Sequence, residues 1–168
     1  IEKDYKLMIK YYTMAIELFH CGAMCNLGYY YVIEKDHDLV VKYYTMAIKL
    51  GNSEAMYSLG LYYNIVKDYE LSVKYYLMAI KLSHRGAMYN LGLYYEEIEK
   101  DYGMMVKYYL MAVKLSNINA MCNLGLHYQT VEKDYGLMIK YYSMAIELGD
   151  SHAMFNLGLH YQYVEKDY

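Results

Sequence analysis

Residues with chemical potential are present in this chain, but nearly all of them recur in register, and register is the mark of structure. His20, Cys21 and Cys25 could supply one imidazole and two thiolates to a zinc ion. A structural zinc site wants four ligands, and only three are local. Asp4, Asp36, Asp68, Asp101 and Asp134 repeat at one position just ahead of apolar segments, where a carboxylate caps a helix rather than performing acid–base work. Met14, Met46, Met78, Met111 and Met144 also share one position and read as packing residues, since a copper or cofactor site would break the repeat instead of following it. His127 and His160 stand where Tyr30, Tyr62 and Tyr94 stand in other copies, an ordinary substitution. No Ser/His/Asp grouping, glycine-rich phosphate loop or carboxylate pair stands outside the pattern. We therefore read the chain as a non-enzyme with no catalytic residues, no metal and no cofactor.

The elements that would position these residues are set by the repeat itself. AM-x-[NS]-LG begins at Ala23, Ala55, Ala87, Ala120 and Ala153, and a Lys-Tyr-Tyr triplet begins at Lys10, Lys42, Lys74, Lys107 and Lys140, so the period is 32, 32, 33 and 33 residues. A period of this size is that of a helical-hairpin array, in which each copy is too small to bury its own apolar face and stacks on its neighbours. The first helix of each pair (A) is expected near 21–32, 53–64, 85–97, 118–130 and 151–163. The second (B) is expected near 4–18, 36–50, 68–82, 101–115 and 134–148. On the B helix, Leu71, Tyr75, Met78 and Leu82 form one apolar stripe and Tyr69, Val73, Tyr76 and Ile80 a second, leaving a polar edge of Glu70, Lys74 and Lys81. Gly51, Gly149 or a serine stops each B helix, and Asn52, Asn117 or Asp150 caps the A helix that follows. The A-to-B connection gains one residue after Gly92 and again after Gly125, and we expect the insertion at the end of helix A, where it disturbs packing least. The whole is an all-α, right-handed α-solenoid of stacked antiparallel helix pairs, about ten helices. It forms one array over 1–168 with units near 4–32, 36–64, 68–97, 101–130 and 134–163, an excerpt of a longer protein.

Composition narrows the partners. Of the 168 residues 57% are hydrophobic and 17% aromatic, ample material for a folded chain, while the net charge of −3 lacks the basic excess that nucleic acid or an anionic membrane would require. No apolar run approaches the roughly 20 residues of a membrane span. Three cysteines, an odd number, point to a reducing compartment, and we expect a cytoplasmic location. The absence of Pro and Trp beside abundant Tyr, Lys, Asn and Ile fits an AT-rich genome.

These residues resemble the Sel1-like repeat family, a branch of the tetratricopeptide-like helical arrays. Its A-x-x-x-L-G-x-x-Y stands here as Ala55, Leu59, Gly60 and Tyr63, and its D-Y…Y-Y-x-x-A segment as Asp68, Tyr69, Tyr75, Tyr76 and Ala79, with all five copies in register. Two departures are visible. The small residue expected four after the Asp is Met8, Val40, Ser72, Met105 or Met138, and a short charged link replaces the glycine-rich loop between helices. The wording KYYLMAI and the Tyr, Lys and Asn bias also resemble arrays encoded by giant DNA viruses, which would put the protein in host cytoplasm or a virion. Gly60 and Ala79 mark the expected helix crossing, where small side chains allow close approach.

The resemblance implies a protein-interaction adaptor whose A helices line a concave face. On that reading the partner-binding residues are Asn26, Tyr57, Ser58, Leu61, Tyr89, Asn90, Leu93, Asn123, Leu126, Phe155 and Asn156. A ladder of amides offers donors and acceptors to an extended peptide. The lysines that clamp a terminal carboxylate in tetratricopeptide relatives are absent, so an apolar or aromatic segment is the expected ligand. Two alternatives stand beside this one: the asparagines tie one hairpin to the next, and the chain is an assembly element that self-associates through uncapped ends. The lysine row Lys10, Lys42, Lys74, Lys107 and Lys140 reads as a solvated edge.

Overall fold

The structure, a computed structural model, describes residues 4–164. They form ten α-helices and, among the described residues, no strand: α1 Tyr5–Glu17, α2 Cys21–Glu34, α3 His37–Lys49, α4 Ser53–Ile65, α5 Tyr69–Lys81, α6 Arg85–Tyr94, α7 Tyr102–Val113, α8 Ile118–Thr130, α9 Tyr135–Glu147 and α10 Ser151–Val164. The odd-numbered helices are the B type and the even-numbered the A type. The chain falls into two compact units, Ile1–Ala87 and Met88–Tyr168. In the first, α1 to α5 pack each on the next; in the second, α7 to α10 do the same.

Why each helix starts where it does is visible in its cap. Asp4, Asp36, Asp68, Asp101 and Asp134 each accept, through Oδ1, the amide of the residue three positions on, at 2.9–3.1 Å. Each such cap contributes about 1 kcal/mol to its helix. Before four of these aspartates a lysine takes the left-handed conformation: Lys35, Lys67, Lys100 and Lys133, with φ between 54° and 64°. That twist brings the Asp36, Asp68 and Asp101 amides onto the carbonyls of Tyr31, Tyr63 and Tyr95, so one aspartate closes a helix with its N–H and opens the next with its side chain.

The B-to-A joints work the same way. Gly51, Gly149, Ser83 and Ser116 are left-handed, as expected, and so is Phe19. Asn52, Asn117 and Asp150 cap the following A helix, accepting from Ala55, Ala120 and Ala153 at 2.7–2.9 Å. His20 and His84 fill the remaining caps, each Nδ1 accepting the amide three residues on at 3.1 Å. His20 thus serves as the cap of α2.

The first inserted residue lies at the end of an A helix, as expected: α6 runs into a π-helical turn, Tyr95–Glu99. The second takes another form, a longer joint over 131–134 after α8. One extra residue per period is absorbed without shifting the caps on either side.

Burial refines the two stripes read from the B helix. On α5 the deepest line is Ser72, Tyr76 and Ala79, each at most 1% exposed, with Leu71, Val73, Tyr75, Met78 and Ile80 half-buried beside it. Leu82 is half exposed because the chain has already turned there. The recurrent B-helix methionines are half-buried, and Met14 is exposed, whereas the A-helix Met24, Met56, Met88 and Met121 are in the core. A Cβ built on Gly60 would lie 2.7 Å from Cδ1 of Tyr76, and Gly28, Gly92 and Gly125 meet Tyr44, Tyr109 and Tyr142 as closely. The expected crossing at Gly60 is real, and its other wall is the tyrosine ring. Gly158, by contrast, has nothing within 4 Å among the described residues.

These two glycines make an internal control. Gly60→Ala should destabilise the chain by about 1–3 kcal/mol through overpacking, while Gly158→Ala should stabilise α10 by about 0.5–1 kcal/mol through lower backbone entropy cost. Thermal and urea unfolding of both variants measures the difference, and equal effects would contradict this packing.

Candidate partner-binding face

Each expected binding residue lies on an A helix: Asn26 on α2, Tyr57, Ser58 and Leu61 on α4, Tyr89, Asn90 and Leu93 on α6, Asn123 and Leu126 on α8, and Phe155 and Asn156 on α10. Leu126 (49%) and Phe155 (65%) are exposed, as is Tyr29 (64%) in the same row as Leu126. Asn26 is also exposed and the rest are half-buried.

The amide row is already engaged with the protein's own tyrosines. Asn26 donates through Nδ2 to the Tyr12 hydroxyl at 3.0 Å, and Asn123 to the Tyr109 hydroxyl at 3.0 Å. Ser58 and Asn156 stand beside the hydroxyls of Tyr44 and Tyr142 and offset part of the rise that burial gives those phenols, as Ser72 does for Tyr76. In each case the A-helix polar residue reaches back to the B helix that precedes it. Tyr109 in turn donates to Glu96 Oε2 at 2.5 Å and Tyr142 to Gln129 Oε1 at 3.1 Å, so a phenol bridges the A helices on either side of it. Tyr76 holds the same position with its hydroxyl buried and, among the described residues, without a hydrogen-bond partner. Burial raises the Tyr44, Tyr76, Tyr109 and Tyr142 phenols, Tyr44 to about 12, and these four stay neutral at ordinary pH.

The neighbouring row meets the next A helix at its cap. Cys25 Sγ lies 3.9 Å from Asn52 Oδ1, Cys122 Sγ 3.4 Å from Asp150 Oδ1, and the Tyr57 ring stacks on His84 at 4.5 Å. Burial, aided by Cys21 and Glu54, pushes the Cys25 thiol up to about 11; burial and Asp150 push Cys122 up to about 12. Both remain thiols at neutral pH and make poor nucleophiles or metal ligands. Tyr89 and Asn123 are brought together by a hydrogen bond, and the Tyr89 ring stacks on Tyr109 at 5.7 Å.

A third arrangement went unread in the sequence. In four copies the first tyrosine of the Lys-Tyr-Tyr triplet stacks almost parallel on an A-helix tyrosine: Tyr43 on Tyr31, Tyr75 on Tyr63, Tyr108 on Tyr95 and Tyr141 on Tyr128, at 5.5–5.6 Å. Lys42, Lys74, Lys107 and Lys140 place Nζ 5.2–5.7 Å from the first ring of each stack. The lysine edge is exposed, as expected, but each charge covers an aromatic face. The invariance of Lys beside Tyr in every triplet was the available signal.

Sel1 repeats match at residues 22–52, 53–84, 86–117, 118–150 and 151–168. The chain belongs to the Sel1 repeat family. Solved Sel1-type folds agree. The protective antigen c5321 of uropathogenic Escherichia coli, described as displaying an SLR fold, superposes with a TM-score of 0.77 at 25% identity over 91% of this chain. A Sel1 repeat protein from Oxalobacter formigenes gives 0.74 at 25% identity, over 94% of this chain and 70% of that one. Immunity protein Pa5087 from Pseudomonas aeruginosa gives 0.63 at 24% identity, over 88% and 61%. The chain spans 36% of the length of c5321. No curated protein matches. The fold is therefore all-α, of the Sel1-like and tetratricopeptide-like solenoid class. Each Sel1 repeat begins at an A helix, so the glycine–tyrosine contact lies within a repeat and the asparagine–tyrosine bonds run between consecutive repeats.

Removing one hydroxyl should test this hydrogen-bond arrangement. Tyr109→Phe leaves Glu96 and Asn123 without their shared partner and should cost about 1–3 kcal/mol, whereas Tyr76→Phe should be nearly neutral or stabilising. Urea denaturation of the pair provides the comparison; a cost at Tyr76 equal to that at Tyr109 would contradict it.

Proposed function

We propose that this Sel1 repeat chain is a protein-interaction scaffold that holds an apolar or aromatic peptide or protein segment on the outward positions of its A helices. Sel1 repeat proteins are generally non-enzymatic interaction scaffolds, and the observation that carries the reading here is the exposure of Tyr29, Leu126 and Phe155. Solvent-facing apolar side chains beside a polar row whose Asn26 and Asn123 already bond internally favour a ligand recognised by shape and burial. Asn26, Tyr57, Ser58, Leu61, Tyr89, Asn90, Leu93, Asn123 and Asn156 would frame that contact. The three free cysteines fit a reducing compartment, the cytoplasm, or host cytoplasm or a virion for a virus-encoded array. No helix among the described residues is long and apolar enough to cross a membrane.

Peptides selected on the wild-type chain from a random display library test the reading. Leu126→Asp should weaken the selected apolar peptides at least tenfold, about 1.4 kcal/mol, while Lys74→Asp on a B helix should leave them unchanged. Binding indifferent to Leu126→Asp would overturn it.

A further inference from the structure

The second unit holds a cavity of about 520 Å³ whose walls come from α7, α8, the joint that precedes α9, and Leu137 on α9. Its chemistry is mixed in a specific way. Tyr102 and Tyr128 flank the His127 imidazole, at centroid distances of 5.5 and 5.4 Å, Val106 supplies an aliphatic wall, and Glu132 and Asp134 bring carboxylates to it. No lysine or arginine is among the lining residues.

Three sequence features combine here to make the space, two of which, the glycine and the histidine, recur in the next copy as Gly136 and His160. Gly103 replaces the side chains of Lys6, Asp38 and Glu70 at the same point of the B helix, and His127 replaces the larger Tyr30, Tyr62 and Tyr94. The inserted residue lengthens the joint over 131–134 and carries Glu132 to within 3.7 Å of His127 Nε2. His127 is 5% exposed, while Glu132 is mostly exposed and free to reorient. Asp134 accepts the Leu137 amide through Oδ1, and a carboxylate retains acceptor capacity beyond one such bond.

Aromatic faces attract cations through the ring quadrupole, and carboxylates at the same opening add Coulomb attraction and charge-assisted hydrogen bonds. An aliphatic wall beside them suits a methylene stem. We propose that this cavity is a receptor for the alkylammonium group of a lysine side chain on a partner protein, with Tyr102 and Tyr128 contacting the stem and head and Glu132 pairing the charge. The site is separate from the A-helix rows: none of its walls is one of the residues offered there for peptide binding. It therefore stands or falls without them.

The probe is Nα-acetyl-lysine methylamide, with Nα-acetyl-norleucine methylamide as its uncharged counterpart, titrated into the full chain and followed by the aromatic NMR signals of His127, Tyr102 and Tyr128. The lysine compound should shift those signals in a saturable manner and the norleucine compound should not. Glu132→Gln should weaken binding at least threefold, while Glu97→Gln, an exposed glutamate outside the cavity, should leave it unchanged. Free 1,4-diaminobutane separates the sources: the proposal expects weaker binding than the lysine compound, because it lacks the acetylated backbone that a partner's lysine carries. Equal shifts with norleucine, an unchanged affinity in Glu132→Gln, or tighter binding of the free diamine would overturn the proposal.

Discussion

The tyrosine ring lying flat against a glycine on the helix before it sets the geometry of every complete Sel1 repeat in this chain. Cβ positions built at Gly28, Gly60, Gly92 and Gly125 fall 2.4–2.9 Å from the facing rings, closer than real Cβ atoms approach. The two helices can come together only because that atom is missing. The same tyrosine then carries its hydroxyl to the far side, where in three of the repeats it meets a polar residue of the following A helix. One side chain thus fixes the pairing within a repeat and the join to the next, and the near-complete burial of Tyr44, Tyr76, Tyr109 and Tyr142 follows from that double duty.

Short joints work by the same economy of parts. A left-handed residue turns the chain, and the following Asp, Asn or His closes one helix with its amide and caps the next with its side chain. Seven of the nine left-handed residues are not glycine, and each holds a conformation that costs an L residue roughly 1–2 kcal/mol. Such strain persists where surrounding bonds determine it, and here the cap bonds do so. The cysteine and Tyr57 row packs onto those same caps, so variation at the cap, Asn52, His84 or Asp150, is met by a matching neighbour: thiol for amide or carboxylate, ring for imidazole.

How much of this was legible in the sequence depends on whether the information sat in one column or in a pair of columns. Helix order, the aspartate caps and the glycine crossing each belong to a single repeating position, and they read directly. The cap role of His20 was missed because the residue was judged by its type, with metal chemistry in view, instead of by its column, which Asn52, Asn117 and Asp150 define and His84 shares. The methionine stripe was misjudged for depth: helical period shows which side a residue faces but not how near the centre it lies, and the α5 core line runs through the small Ser72 and Ala79 instead. The tyrosine stacks and the lysines above them are relations between helices, and a period alone does not pair columns. The two insertions make the same point, since identical additions to the period become a π turn in one repeat and a longer joint in the other.

The candidate face takes its character from what the packing leaves over. Where the polar members of the A helix tie repeats together, as Asn26 and Asn123 do, part of their hydrogen-bonding capacity is used before any partner arrives. The outward column is apolar in every copy, Tyr29 in the first and Leu61, Leu93, Leu126 and Leu159 in the rest, and its exposure differs: Tyr29 and Leu126 are exposed while the other leucines are half-buried. The glycine and tyrosine columns fix how one helix meets the next, and the outward column is what that packing leaves at the surface to differing degrees.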